Sequence, residues 1–391
     1  MNFFRVLIVL GLASALPVRA VYAPVPEQDQ GKAFTVTLKS ALSYDTNIFG
    51  GATGSIESSI FQFNPKLAYN ASVTDQTFMS LSYDLTLDHY DNRPGDKLLD
   101  SHIAMARVAH AFSSSTTIDV VEMFMAVSSP ESLLNGLPIN ADQSMIRNEV
   151  DVNFTTSLTP KIGFSAKART VDTSFRNAVL GRSLDRIENL YGLTTDYAAR
   201  ADTKLVAEYR HQDVYYDKLG ETKNKNSDYF MGGIDYVVAK KVSATGRLGL
   251  EWRHRTTERS ASVPYAEVTT KWDYAPDSYI TGGYMLMLDE SSDTARFTDT
   301  RINRFFVNVQ HHLTPLIAAS TSVTFEPSVQ KGRRGQGNLD EDTLRLGGAL
   351  SYLPTKNWIV SGSLDYDRVT SDEAARTTKR LRFGVNGSYT F

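Results

Sequence analysis

Apolar and polar residues alternate along most of this chain with a period of two, and this pattern constrains the fold more than any other feature. One segment shows it clearly, with apolar residues Met79, Leu81, Tyr83, Leu85 and Leu87 and polar residues Ser80, Ser82, Asp84, Thr86 and Asp88. Successive side chains of a β-strand point to opposite faces of its sheet, so the pattern predicts strands with one apolar face. Eighteen such segments follow one another, at 34–44, 58–71, 76–89, 101–113, 116–128, 146–158, 160–174, 186–199, 202–216, 227–239, 241–255, 264–275, 278–289, 301–313, 316–328, 342–353, 357–369 and 378–391.

The connections between these segments alternate between short and long along the whole chain. Short links such as 73–75 and 159–160 follow every second segment, and longer links such as 90–100 and 175–185 follow the others. This alternation is typical of an up-and-down barrel whose two ends differ, and closure leaves no exposed sheet edge. We therefore predict an all-β fold, a single transmembrane antiparallel up-and-down β-barrel of about 18 strands (about 16 being the alternative), with short periplasmic turns and longer extracellular loops.

Charged residues occupy the polar phase of the alternation in numbers that a protein core could not hold. Examples are Lys66, Asp84, Glu251 and Asp365. Buried without water, such charges carry a large desolvation cost, and a water-filled lumen removes it. The apolar phase, with aromatic residues near the segment ends, would then face lipid and the membrane interfaces.

The whole-chain composition excludes several kinds of site and partner. The chain has no cysteine, which excludes disulfides and thiolate metal sites. Its formal net charge of -3 predicts no nucleic-acid partner. After the N-terminal segment no stretch stays apolar over about 18 residues, so no transmembrane helix is predicted.

The N-terminal residues have the layout of a secretory signal peptide. Arg5 supplies a positive charge, an apolar run extends from Val6 to Ala15, and small residues precede the expected cleavage after Ala23. An uncleaved anchor helix is the alternative. The predicted organisation is a Sec signal peptide at 1–23, a short periplasmic segment at 24–33 and an outer-membrane barrel at 34–391, in the outer membrane of a Gram-negative bacterium.

A set of basic residues on the polar phase forms the candidate selectivity site of the lumen. Its members are Lys167, Arg169, Lys204, Arg210, Arg247, Arg253, Arg345, Arg380 and Arg382. Stripes of charge set the selectivity of pores, so one interpretation is a basic stripe that guides anionic or uronic-acid-bearing glycans. The other interpretation is a mixed lattice in which these cations pair with carboxylates across strands and only wet the lumen.

Sequence motifs for catalysis or cofactor binding are not recognisable. The chain has no H-E-x-x-H, G-x-S-x-G or P-loop motif, and the neighbouring His311 and His312 would point to opposite faces of one strand. Asp45-Thr46-Asn47 could offer oxygens to Ca²⁺ or close a strand as a turn, and the turn is the favoured interpretation. We predict no enzyme activity, no catalytic residue, no metal and no cofactor. The partly apolar loop 129–145 is a candidate for an in-folded constriction.

The end of the first predicted strand carries a family resemblance. The stretch Leu42-Ser43-Tyr44-Asp45-Thr46-Asn47-Ile48-Phe49 resembles the Tyr-Asp-Asp-Asn-Ile/Val-Phe stretch of β-barrel porins associated with exopolysaccharide biosynthesis, the EpsL-like proteins. Tyr44, Asp45, Asn47 and Phe49 match the motif, and Thr46 stands where the second Asp is usual. The resemblance implies passage or export of polysaccharide across the outer membrane, with polysaccharide and a periplasmic export apparatus as partners.

The last residues resemble the signal that the barrel assembly machinery reads. Tyr389 and Phe391 are the residues that match it, which implies that machinery and the lipid bilayer as partners. Two further functions remain open beside the channel: a non-conducting structural or adhesive surface barrel, and, least favoured, a lipid-modifying enzyme. Conductance separates the first alternative from a channel.

Overall fold

The computed structural model describes residues 33–128, 143–218, 220–257, 260–291, 293 and 295–391. The predicted signal peptide, all of the predicted periplasmic segment except Ala33, and most of loop 129–145 lie outside these residues.

Eighteen β-strands make up almost all of the described chain, in agreement with the predicted number. They are β1 (Phe34–Asp45), β2 (Ser58–Thr74), β3 (Thr77–Tyr90), β4 (Leu98–Ser113), β5 (Thr116–Val127), β6 (Met145–Thr159), β7 (Ile162–Phe175), β8 (Arg186–Arg200), β9 (Thr203–Tyr216), β10 (Lys225–Ala239), β11 (Val242–Arg255), β12 (Ala261–Ala275), β13 (Ser278–Glu290), β14 (Phe297–Thr314), β15 (Ile317–Gly332), β16 (Leu339–Tyr352), β17 (Trp358–Ser371) and β18 (Thr378–Thr390).

The sheet closes on itself. Each strand pairs antiparallel with the next, and β1 pairs with β18 from Thr37 opposite Thr390 to Asp45 opposite Arg382. At one end of this seam the backbone N–H of Phe391 donates to the carbonyl of Val36 at 2.9 Å. The predicted up-and-down barrel is confirmed, and every strand backbone finds partners on both sides, as closure requires.

The two ends of the barrel differ as the link lengths predicted. Two-residue turns such as 160–161 and 276–277 join alternate strand pairs at one end, with a five-residue link at 353–357. Asp277 in one of these turns has φ of 50°, the left-handed region that aspartate tolerates better than most residues. The longer loops all lie at the opposite end, which we call the long-loop end.

Several strands extend further toward the long-loop end than the alternation predicted. β14 begins at Phe297 where 301 was expected, and β15 runs on to Gly332 where 328 was expected. The backbone ladder needs no apolar side chains, so strands continue above the level at which an apolar face is required.

The outward phase of the strands carries exposed large apolar side chains around the whole circumference. Examples from separate strands are Leu42, Phe61, Leu248, Leu364 and Val385, all more than half exposed. Aromatic pairs lie toward both ends of the barrel. The ring centroids of Trp358 and Tyr389, toward the short-turn end, are 5.0 Å apart, and those of Phe230 and Trp252, toward the long-loop end, are 5.3 Å apart. Such a surface is stable only against lipid, so the molecule is a transmembrane barrel.

In the described part of the chain, short helices occur only at the long-loop end. They are α1 (Ala178–Leu184), α2 (Gly220–Lys223) and a 3₁₀ turn, η1 (Ala374–Arg376). Within the described residues, no helix is long and apolar enough to cross a membrane. The Asn177 side chain accepts from the N–H of Val179 at 2.9 Å and caps α1, which buries Leu180 and Leu184 against Met145 and Phe175.

Candidate functional site

The nine predicted basic residues all lie on the inward phase of their strands, opposite to the apolar phase. Most of them pair with carboxylates of the same or a neighbouring strand. Examples, one contact for each residue, are Arg169 to Asp151 at 2.9 Å, Lys204 to Asp196 at 3.5 Å, Arg210 to Glu208 at 2.5 Å, Arg247 to Asp235 at 2.7 Å, Arg253 to Glu251 at 2.7 Å, Arg380 to Asp45 at 2.5 Å and Arg382 to Asp367 at 3.3 Å. In register, Lys167 stands opposite Asn153 and Arg345 opposite Asp367.

This pairing has the geometry of the mixed lattice that was the second interpretation of the basic set. Ion pairs between adjacent strands neutralise most of the positive charge where it arises, which leaves little excess for a continuous basic stripe. The assignment of these residues to solute selectivity stays a prediction.

The residues of the family-like motif organise the end of the β1–β18 seam. Asp45 is only 1% exposed; its carboxylate accepts from Arg380 at 2.5 and 3.0 Å and from the N–H of Asn47 at 2.9 Å. The Asn47 amide donates to the carbonyl of Gly51 at 2.8 Å. The Phe49 ring lies 5.3 Å from the Arg93 guanidinium. Asp45-Thr46-Asn47 is therefore an Asx-type turn whose carboxylate is already satisfied.

A second set of charges lies at the long-loop end, where three cations converge on two carboxylates. Lys225, Arg253 and Arg255 come from β10 and β11, and Glu290 and Asp299 from β13 and β14. Arg255 donates to Asp299 at 2.5 Å, and Arg253 Nη1 lies 3.6 Å from Glu290 Oε1. Lys225 contacts Glu290, and Arg253 also contacts Asp299. The side chains of these cations are nearly inaccessible to solvent.

The carboxylates belong to the tip of the β13–β14 hairpin, which we call the mouth hairpin and define as the described residues of 288–299. On one side Glu290 accepts from the Tyr216 hydroxyl at 2.6 Å, although β9 and β13 are four strands apart. Adjacent strands are spaced by about 4.8 Å, so four steps along the wall span roughly 19 Å. Side-chain contact over that span requires the hairpin to bend inward over the mouth.

The same hairpin contacts the loops on its other side. Arg296 donates to both carboxylate oxygens of Glu373, at 2.7 and 3.0 Å, in the loop between β17 and β18. This interaction holds the pKa of Glu373 below its ordinary value and raises that of Arg296. Phe297 is almost fully buried, with the Arg376 guanidinium 6.0 Å from its ring. The mouth hairpin thus contacts β9 on one side and the loop between β17 and β18 on the other.

Two smaller contacts tie further loops to this layer. The ammonium of Lys223 in α2 donates to the carbonyl of Ser183 in α1 at 2.9 Å, and burial lowers the pKa of Lys223. Arg376 of η1, only 1% exposed, donates to Glu341 of β16 at 2.6 Å. These contacts connect α1 to α2 and η1 to β16 at the long-loop end.

The alternation of segment 241–255 placed Arg253 and Arg255 on its polar phase, but the sequence identified no other member of the mouth cluster. Glu290 and Asp299 lay at the edges of a predicted loop, and Lys225 lay just before a predicted strand, so alternation said nothing about them. Opposite charges at the ends of strands indicate that ion pairs can form there. Which residues pair across several strands cannot be predicted from their spacing in the sequence. The constriction predicted at 129–145 falls mostly outside the described residues.

Among the described residues, no group of three or more histidine, aspartate and glutamate side chains is arranged to hold a metal ion. The described part of the site consists of ion pairs, aromatic rings and backbone carbonyls.

No protein-family model matches the chain, and no curated protein matches it. Solved structures with a similar barrel include OccAB3 of Acinetobacter baumannii, with 10% identity, a TM-score of 0.48 and coverage of 92% of this chain and 99% of that one. A bacterial polysaccharide outer membrane secretin has 9% identity, a TM-score of 0.40 and coverage of 91% and 98%. The FrpB iron transporter of Neisseria meningitidis has 10% identity and a TM-score of 0.48; the match covers 87% of this chain but only 62% of FrpB.

Proposed function

We propose that this protein is an outer-membrane channel that passes oligosaccharide or polysaccharide. The observation that carries the channel is the closed 18-stranded barrel with charged residues lining its inside. Barrels of about 16 to 18 strands leave an aqueous interior, whereas about 8 strands are filled by side chains. Charges on the inner wall keep such a lumen wet, because their removal from water would be costly.

The solute class rests on the resemblance of Tyr44 to Phe49 to exopolysaccharide-associated porins and on the chemistry of the wall. Inward hydroxyls on one strand, Ser320, Ser322 and Thr324, add hydrogen-bonding groups to the ion pairs. Such a surface can exchange hydrogen bonds with a hydroxyl-rich chain as it exchanges them with water. We further propose that the Sec pathway exports the chain and that the barrel assembly machinery recognises Tyr389 and Phe391. A periplasmic export apparatus would deliver the polymer to the channel.

A non-conducting surface barrel is the second candidate, and the mouth hairpin is the observation that favours it. A cover held by buried ion pairs could seal the opening and leave the loops as a binding face. The lipid-modifying enzyme has no comparable support.

Single-channel recording of the refolded mature protein in planar bilayers tests the proposal. We expect stable steps on the nanosiemens scale, and concentration-dependent block by maltotriose or longer oligosaccharides. Protein that is folded, as judged by heat-modifiable migration in gels, yet gives no steps would favour the structural barrel. Conductance steps that no saccharide blocks would support the proposed channel and contradict saccharide as its solute.

A further inference from the structure

Two cations stand directly opposite each other on the outer face of the barrel, near the long-loop end. They are Arg368 of β17 and Lys379 of β18, which are partners in the strand register and are both exposed. Among the described residues, no carboxylate lies within 4.0 Å of either cation. Asp342 of β16 shares their outward phase, but in register it stands opposite Thr370 and not opposite Arg368.

The inward cations of the same region have a different environment. Arg380 contacts Asp45 at 2.5 Å, and Arg382 contacts Asp367 at 3.3 Å. Like charges directly opposite on one face of a sheet repel each other and destabilise it. An anion from outside the chain would therefore stabilise the outward pair.

The height of the pair on the barrel wall indicates the source of that anion. Leu381 lies ten residues before Phe391, which is at the short-turn end. At about 3.3 Å per residue and a tilt of about 40°, these residues rise roughly 25 Å, the height of the apolar band of such barrels. Exposed Phe383 lies within this band. Lys379 and its partner Arg368 lie just above the band, at the level of the lipid headgroups.

We infer that Arg368 and Lys379 bind the phosphate groups of lipid A, the phosphorylated glycolipid of the outer leaflet. The long-loop end is the extracellular end of such barrels, so the pair faces this leaflet. A guanidinium binds two phosphate oxygens at once, and an ammonium adds a compact charge beside it. The acyl chains would lie against exposed apolar side chains below the pair, such as Leu364 and Phe383. The site is on the outer wall and does not depend on the solute that the channel passes.

The test is the affinity of the refolded mature protein for diphosphoryl lipid A, measured in detergent by native mass spectrometry. We expect the double variant Arg368→Gln and Lys379→Gln to bind it about tenfold more weakly than the wild type, because each basic residue beside an anionic lipid contributes a factor of about five. Arg368→Lys keeps the charge and should retain most of the affinity. Dephosphorylated lipid A should bind equally to the wild type and to the double variant.

Two exposed cations on the inward phase provide the matched control. Lys66 stands opposite Asp84, and Lys271 opposite Ser243, so both face away from lipid. The double variant Lys66→Gln and Lys271→Gln changes the net charge equally and should bind diphosphoryl lipid A as the wild type does.

Urea unfolding in phosphatidylcholine vesicles without lipid A shows whether the outward variant folds. We expect Arg368→Gln and Lys379→Gln to be at least as stable there as the wild type, because the repulsion between the two cations is gone.

Equal affinity of the wild type and the outward variant for diphosphoryl lipid A would overturn the site. An equal loss of affinity in the Lys66→Gln and Lys271→Gln variant would overturn it as well, because net charge alone would then explain the binding. Inorganic phosphate that displaces lipid A at millimolar concentration would assign the pair to a soluble anion and overturn the lipid as its ligand. None of these measurements involves conductance, so their outcome is separate from that of the proposed channel.

Discussion

Asp45 closes the seam of the barrel at the scale of a single residue. Its buried carboxylate is bound by Arg380 and by the backbone of Asn47, so its loss leaves a guanidinium without a partner. We expect Asp45→Ala to lower the free energy of unfolding by about 3 kcal/mol, since breaking a buried ion pair costs more than the pair contributes. Urea unfolding in lipid vesicles, followed by tryptophan fluorescence, measures this value.

Asp273→Ala is the control for that measurement. Asp273 and its partner Lys271 are about half exposed, and exposed pairs contribute less than about 1 kcal/mol. Equal effects of the two substitutions would contradict the role assigned to Asp45.

Glu373 gives the mouth a pH dependence at the same scale. Arg296 lowers the pKa of its carboxyl, while Asp293 and Arg376 are the other charged groups that face it. A depressed folded-state pKa means that the bridge stabilises the protein above the ordinary glutamate pKa and that this contribution is lost as the pH falls through the lowered value. We expect the melting temperatures of the wild type and Glu373→Gln to differ at neutral pH and to converge in acid. A constant difference at all pH values would speak against the bridge.

The turn between β12 and β13 shows how an element depends on backbone conformation. Asp277 has a positive φ, which glycine adopts freely and β-branched residues adopt with strain. Asp277→Gly should leave stability nearly unchanged, whereas Asp277→Val should cost about 1 to 2 kcal/mol. Thermal unfolding of both variants checks this, and a Val variant as stable as the Gly variant would refute the argument.

At the scale of the whole molecule, we predict that closure of the barrel and its delivery to the outer membrane depend on different residues. Phe391 contributes one exposed ring next to Tyr389, with ring centroids 4.6 Å apart. We therefore expect Phe391→Ser to refold in vitro with nearly wild-type stability but to accumulate several-fold less in the outer membrane of cells. Phe34→Ser, an equally exposed aromatic at the same end of the seam, is the control and should accumulate normally. Loss of both variants to the same extent would mean that the C-terminal residue carries no assembly signal.

The strands were predictable because their signal is local. Segment 116–128 has the least regular alternation, because Val120-Val121 and Met123-Phe124-Met125 are runs of apolar residues. It nevertheless corresponds to β5 at Thr116–Val127. The sequence could predict that inward cations such as Arg169 pair with carboxylates such as Asp151 on a neighbouring strand, because neighbouring strands bring their polar phases together. Which carboxylate meets which cation depends on register, and the sequence alone left the stripe and the lattice as alternatives.

By itself, the sequence predicted about 18 strands, the order of the strands around the barrel and the two different ends, because alternation and link length act between near neighbours in the chain. Only the tertiary structure decided that Glu290 reaches Tyr216 and Lys225, and that Arg296 reaches Glu373. These contacts join strands and loops far apart in sequence, and no local pattern records how far a hairpin bends. The charges that line the inside of the barrel and the charges that pair at its long-loop end look alike in the sequence; only their neighbours in space distinguish them.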